Sequence, residues 1–340
     1  MKKLKYIFTR INKDSFKKMQ DKINQVHAIT NKNKIIIFFD IIWCSLKYGA
    51  GYTDYYAFGM YNMNHQERKT ILTRGKNNSY VARFNPKEYW HIFDNKNEFN
   101  AKFNKYLKRK WLYLKDSTKD EFITFIKKFS EVIAKPNNDS GGHGIEKIII
   151  KNYESLDELY DYLMNKKLYL LEEIVIQHHT LAKINPSSVN TVRIITLLYN
   201  NKLNFITAFL RIGNKDSFVD NTSSGGMLTM IDLDRGVTLY PACDSNMNVY
   251  EKHPATNIKI KDITIPYFEE SKALVKEAST VVKELQYIAW DIAITEEGPV
   301  IIEGNPYPGY YYQFPIHTPN KIGIIPVFEK IISSNKREGE

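Results

Sequence analysis

An α+β architecture with mostly antiparallel sheet is what this 340-residue sequence predicts. Three observations lead there. Short apolar runs recur at hairpin spacing between Thr191 and Asn305, with turn residues between them. Helix-periodic segments come in blocks and do not alternate with single strands, so the spacing of βαβ units is missing. An apolar content of 43% can bury a substantial core, enough for one large domain or two to three lobes.

In chain order, residues 1–60 read as mostly helical, and Tyr48–Tyr61 is rich in aromatics and glycine. Asp94–Leu107 spaces Phe99, Phe103 and Leu107 at helical intervals. Ser117 with Asp120, ahead of Phe122, Ile123 and Ile126, reads as a capped helix start. Glu131–Pro136 and Ile145–Lys151 read as strands flanking a glycine-rich loop. Ser155 and Glu158 form a capping box that opens a helix to about Met164. Leu168–Gln177 is strand-like, and Thr191–Leu198 with Leu203–Ile212 reads as a strand pair. Gly226–Leu233 and Gly236–Tyr240 read as a second pair, joined at Asp234-Arg235. Phe268–Leu285 is the strongest long helix, and Ser333–Glu340 reads as a frayed tail.

The C-terminal hairpin carries the first chemical signal. Tyr287–Trp290 is apolar and is closed by Asp291; Thr295–Pro299 is a turn; Pro299–Pro306 is the returning limb. A turn centred on Glu297 sets Asp291 opposite Glu303. Strand alternation then sends Glu303 and Asn305 to the same face. Two carboxylates and an amide oxygen form a hard donor set that suits Mg²⁺ held with a substrate's phosphates. The competing reading is a solvated hairpin with scattered acids.

The second signal is Lys135–Gly144, a lysine followed by Ser140, Gly141, Gly142, His143 and Gly144. Glycines let backbone N–H groups approach phosphate oxygens, and the lysine supplies a point charge. A Walker A lysine follows its glycines and opens a helix; here it precedes them between two strands, which excludes a P-loop. The pattern fits a flap closing over a nucleotide's phosphates, or an ordinary glycine hairpin with a surface lysine.

Composition excludes other classes. No apolar run reaches the ~20 residues of a membrane span, and Met1–Phe8 lacks the features of a secretory signal. Two distant cysteines, Cys44 and Cys243, offer neither a disulfide framework nor a cysteine metal site. A cytoplasmic setting is the expectation. The net charge of +10 is uneven: residues 1–130 hold 27 Lys+Arg against 11 Asp+Glu, and the remainder 21 against 27. Such a basic region suits nucleic acid, anionic lipid or a phosphorylated substrate. No zinc-finger spacing, RNP-like run or basic heptad supports nucleic acid.

Taken together, the strand lysine, the glycine flap, Leu170–His178 and the WD…EGN run resemble the ATP-grasp superfamily across roughly residues 90–310. Pro186–Thr196, Arg211-Ile-Gly, Val219–Gly226, Trp290-Asp291 and the Tyr48–Arg68 segment resemble its sugar-transfer-associated members, found in surface-polysaccharide gene clusters. The resemblance implies two α+β lobes clamping ATP: a basic helical region at 1–90, a small lobe at 91–175, a large lobe at 176–330 and a tail at 331–340. It implies Lys96 and Lys135 as phosphate lysines, although Asn95 dilutes the motif around Lys96. Ser140, Gly141, Gly142 and Gly144 would form the flap. Glu172 or Glu173 would meet adenine, and Gln177 and His178 the ribose. Asp291, Glu303 and Asn305 would hold Mg²⁺, two ions, with Mn²⁺ as a substitute. Many relatives place an arginine two residues before the aspartate; this chain has Ala289, so Arg193 or Arg211 would have to cover that role. Asp220, Asn221, Ser223 and Ser224 would line the acceptor side.

The activity so implied is amide formation between a carboxylate and an amine through an acyl phosphate, with a carbohydrate or amino-acid substrate of surface-polysaccharide synthesis. The alternatives are a sugar or polyol kinase, with Asp220 as the base, and a nucleotide-binding scaffold. The basic N-terminal region could also touch a membrane surface. Tyr307, Tyr310, Tyr311, Tyr312 and Phe314 would stack on sugars or simply fill a core.

Overall fold

The computed structural model describes residues 13–137, 144–214, 220 and 225–334. The chain divides into two compact units, one from Phe84 to Pro308 and the other combining residues up to Arg83 with those from Gly309 onward.

The terminal unit is helical, as its sequence predicts. Helix α1 spans Lys13–Thr30 and α2 spans Lys34–Tyr48. Asn33 caps α2 by accepting the Ile35 N–H, and Gly49 closes it in the left-handed conformation, φ 66°. The buried face of α2 presents Ile37, Ile41, Cys44 and Tyr48. At its edge Asp40 accepts both guanidinium nitrogens of Arg68, at 2.7 and 2.6 Å, and the Tyr55 hydroxyl at 2.7 Å. Asp54, 1% exposed, accepts the Arg74 N–H at 2.9 Å and the Tyr310 hydroxyl at 3.2 Å, which ties the C-terminal segment to these helices. Tyr312 and Phe314 are buried and Tyr310 is bound to Asp54, so these aromatics serve the core; Tyr307, in the other unit, is 41% exposed.

The central unit holds two antiparallel sheets. The smaller has the order β1-β4-β2-β3, from Trp111–Tyr113, Leu170–Glu172, Glu131–Lys135 and Glu146–Ile149. The larger has the order β11-β10-β5-β6-β7-β8-β9. Its strands are Gly298–Asn305, Tyr287–Thr295, Val192–Tyr199, Lys202–Ile212, Met227–Ile231, Ala242–Asp244 and Val249–Tyr250. Helices α3 (Lys96–Leu107) and α6 (Phe268–Ala278) share a core with the large sheet. Helices α4 (Lys119–Ile126) and α5 (Leu156–Lys166) share one with the small sheet.

Several boundaries differ from expectation. The strand expected over Leu168–Gln177 pairs only at Leu170–Glu172; beyond it the chain leaves the sheet, and Ile176 is 79% exposed. The helix expected to run to Leu285 ends at Ala278, before the β-branched run Thr280-Val281-Val282, which loses side-chain freedom in a helix. The cap of α4 is Thr118 with Glu121, one residue later than predicted. Gly236–Tyr240 makes only isolated bridges, Thr238 to Ile231 and Val237 to Thr264, instead of a full strand. Both cysteines are free and buried, and burial pushes each thiol up to about 12.

Candidate active site

The hairpin of β10 and β11 sets Asp291 opposite Glu303, as the turn arithmetic predicts. The route to that register is different. From Ile292–Ile301 to Thr295–Gly298 the pairing centres between Glu296 and Glu297, and a bulge at Ile302 shifts it by one residue. Without the bulge Ile302 would oppose Asp291. Bulges commonly re-aim side chains beside functional sites.

Alternation on β11 puts Glu303 and Asn305 on one face and Gly304 on the other. There Gly304 meets the Phe93 ring, and an added Cβ would lie 2.5 Å from Phe93 Cε1. Trp290 shares that apolar side, 5.8 Å from the Phe93 centroid and 5.7 Å from Phe103. Gly304→Ala should therefore destabilise the protein by about 1–3 kcal/mol through overpacking. Thermal unfolding tests this; an unchanged melting temperature would show that Phe93 can move aside.

On the opposite face, charges alternate across four strands. Arg193 of β5 pairs in register with Asp291 and contacts both its oxygens at 2.5 Å. Arg211 of β6 reaches Asp291 Oδ2 at 2.6 Å and Asp220 Oδ1 at 2.9 Å. Asp220 also accepts from the Thr191 N–H at 3.0 Å and from the Thr191 hydroxyl. On the other side Arg193 lies 4.0 Å from Glu303, and the Asn305 amide donates to Glu303 at 3.3 Å. Burial disfavours a charged Asp291, but Arg193 and Arg211 outweigh it and hold this carboxyl far below the usual range. Desolvation and then the neighbouring Asp291 charge push Glu303 up. Glu303 nonetheless remains 46% exposed, against 2% for Asp291. Arg193 is the cation the two carboxylates share, and Glu303 keeps an exposed side. An all-oxygen donor set with one open carboxylate fits Mg²⁺.

A second cluster surrounds Glu172, which is 3% exposed. It pairs with Lys135 of β2, accepts from Asn100 of α3 at 2.8 Å and pairs with Arg109 at 2.8 Å. Burial opposes its charge, yet Arg109 and Lys135 hold it well below the carboxylate range. Glu173 faces outward and accepts the Lys110 N–H at 2.9 Å. Glu172 is thus engaged by Lys135, Arg109 and Asn100, and Glu173 lies at the more open side.

Sequence reasoning missed Arg109. Its guanidinium also donates to the carbonyls of Ile301 at 2.7 Å and Ile302 at 3.2 Å, at the bulge. One buried side chain therefore joins the Lys135–Glu172 pair to the backbone that presents Glu303. The only available signal was a basic run, Lys108-Arg109-Lys110, indistinguishable from a solvated turn.

The remaining candidates fall as follows. Lys96 opens α3, where its N–H and that of Asn97 donate to Asn137 at 3.2 and 3.1 Å, so it sits beside the base of the glycine loop. Asn95, the departure from the motif, caps that helix. Gly144 takes φ 69°, which favours glycine; Ser140, Gly141, Gly142 and His143 lie outside the described residues, as do Asn221, Ser223 and Ser224. Gln177 does not present a free amide for ribose: it donates to the Asn185 and Ser188 carbonyls and accepts from Asn190. His178 caps a short helix through the Thr180 N–H and lies 3.4 Å from Glu296. Asp220 is 7% exposed and bound to Arg211 and Thr191, so it is not the free base expected on the acceptor side.

A family model described as sugar-transfer associated ATP-grasp matches residues 75–331. The chain belongs to that family. The ATP-grasp match thus spans both sheets and both charge clusters. Among solved structures, this ATP-grasp chain is similar to D-alanyl-alanine synthetase A from Vibrio cholerae O1 biovar eltor, at 14% identity, 72% and 64% coverage of the two chains and TM-score 0.42. It is similar to the ATP-grasp ligase PsnB complexed with minimal precursor, at 13% identity, 74% and 63% coverage and TM-score 0.45. It also resembles phosphoribosylamine–glycine ligase from Thermotoga maritima, at 15% identity, 65% and 50% coverage and TM-score 0.40. The chain spans less than two thirds of the length of each of these three. No curated protein matches the sequence.

Proposed function

We propose that this protein is an ATP-dependent carboxylate–amine ligase that modifies a surface-polysaccharide precursor or a sugar-linked amino acid. The observation that carries the reading is the charge row Asp220–Arg211–Asp291–Arg193–Glu303, joined through Arg109 to the Lys135–Glu172 pair. Family membership supports the nucleotide, and the family's description supports the sugar context.

In this reading a substrate carboxylate oxygen attacks the γ-phosphorus of ATP and ADP leaves. The resulting acyl phosphate is attacked at its carbonyl carbon by an amine. The amide forms, inorganic phosphate leaves, and the amine's proton passes to solvent. Such chemistry asks the protein mainly to position reactants and to stabilise charge. Glu303, Asn305 and Asp291 would hold Mg²⁺, whose bound charge offsets that of the phosphates. Lys135, fixed by Glu172, presents an ammonium on the strand before the flap, and Lys96 stands at the flap's base. Arg193 is the better substitute for the arginine missing at Ala289. It is 17% exposed and borders Glu303, whereas Arg211 is 5% exposed and locked between two aspartates. A kinase would need a free base near the phosphate, and the engagement of Asp220 argues against it.

The test follows the γ-phosphate. Purified protein is incubated with Mg²⁺, γ-labelled ATP, and uronic-acid glycan precursors with amino acids. The expected result is label released as inorganic phosphate only when both acceptors are present. Label retained on a sugar hydroxyl would overturn the ligase in favour of a kinase.

A further inference from the structure

Helix α2 is apolar on both sides. One side is the buried face described above. The other exposes Ile35 by 66%, Ile36 by 63%, Phe39 by 64% and Trp43 by 52%. At about 100° per residue these four fall on one stripe, with the partly exposed Leu46 among them and Ile42 at its edge. Single exposed apolar residues are ordinary, but four large ones on one helix face mark a surface that meets something other than water.

The charge around the stripe says what that is. Lys34 opens the helix, and Lys47 stands over the Trp43 ring at 4.8 Å, at the stripe's far end. From Lys13 to Tyr48 there are seven lysines against three aspartates. One of those, Asp40, is already paired with Arg68. The preceding residues, Met1–Asn12, carry Lys2, Lys3, Lys5 and Arg10 and no acid. A tryptophan and lysines bordering an apolar stripe is the composition of a membrane interface, where ring and ammonium sit at headgroup level. A second copy of this chain would bring the same lysines face to face. No helix among the described residues is long and apolar enough to cross a membrane.

We propose that α2 lies flat on an anionic phospholipid surface, with Ile35, Ile36, Phe39 and Trp43 in the interface and the surrounding lysines on the headgroups. The proposal is independent of the ligase chemistry and adds a place where it happens: substrates anchored in that bilayer would meet the enzyme at its surface.

Vesicle flotation of the full chain tests it. Binding should be about tenfold stronger with about 30 mol % phosphatidylglycerol than with phosphatidylcholine alone, and should weaken as salt is raised. The surface variant Phe39→Ser/Trp43→Ser should bind about tenfold more weakly at an unchanged melting temperature. Brominated lipid should quench tryptophan emission in the parent and not in Trp43→Phe, which should still float with the vesicles. Absence of binding, equal binding by the double variant, or quenching that survives Trp43→Phe would each overturn the proposal. So would a parent dimer that Phe39→Ser/Trp43→Ser converts to a monomer with no vesicle binding in either form. None of these outcomes bears on release of the γ-phosphate, so the two readings fail separately.

Discussion

Glu303→Gln should abolish turnover while leaving the melting temperature equal to or above that of the parent protein. The carboxyl is the open member of the charge row, and desolvation and then the Asp291 charge raise it. It contributes little to the fold: half exposed, it accepts from Asn305 and stands 4.0 Å from Arg193. Neutralising it removes a repulsion with Asp291, so stability should change by no more than about 1 kcal/mol, in the favourable direction. Activity should fall by about 10²–10³-fold or more, the scale of losing one electrostatic stabiliser in a preorganised site. Strained charge kept for function at the expense of stability is a common compromise. Turnover and thermal unfolding measured on one preparation decide the matter. Near-parental turnover would remove Glu303 from the site, and a collapse in melting temperature would make it a structural residue.

Arg109→Met should cost about 3–5 kcal/mol, the scale of breaking a buried ion pair from one side. Glu172 would keep Lys135 and Asn100 but lose its second cation, and the Ile301 and Ile302 carbonyls would lose a shared donor. Because Glu172 is held below its ordinary range, the contribution of its charge is present above that range and fades as pH falls through and below it. The stability gap between parent and Arg109→Met should therefore narrow in acid. Adding Glu172→Gln should recover part of the loss, since a neutral amide does not demand a cation. Urea unfolding of the four proteins of that cycle tests the argument. A loss below about 1 kcal/mol, or strict additivity, would mean that Arg109 is not the link between the two clusters. Turnover of the single variant should fall even where it is fully folded, because the bulge that sets Glu303 against Asp291 loses its anchor.

Much of the site was legible in the sequence because its parts are local. Strand alternation alone places Glu303 and Asn305 together, and the turn brings Asp291 to within one residue of facing Glu303, the bulge supplying the last step. The order of strand lysine, glycine loop, acidic strand and EGN run is likewise a property of the linear chain. Where one residue had to be chosen from two, burial decided. Glu172 is buried where Arg109, Lys135 and Asn100 meet it; Arg211 is locked because Asp220 and Asp291 flank it. Gln177 reads as a ligand contact, and its amide turns out to close the loop from Asn185 to Asn190.

What the sequence by itself determined was the α+β class, the hairpin that carries the oxygen donors and the family. These depend on period, turn chemistry and motif order, all of which act over a few residues. The tertiary structure alone decided the rest. The bulge at Ile302, the role of Arg109 192 positions before Ile301, and the two arginines on Asp291 come from residues far apart in the chain. A buried charge must find an opposite charge wherever the fold supplies one, and no local pattern records that choice. The exposed stripe on α2 is the converse case. Its apolar period announces a helix, but only the packed structure shows which side is exposed among the described residues.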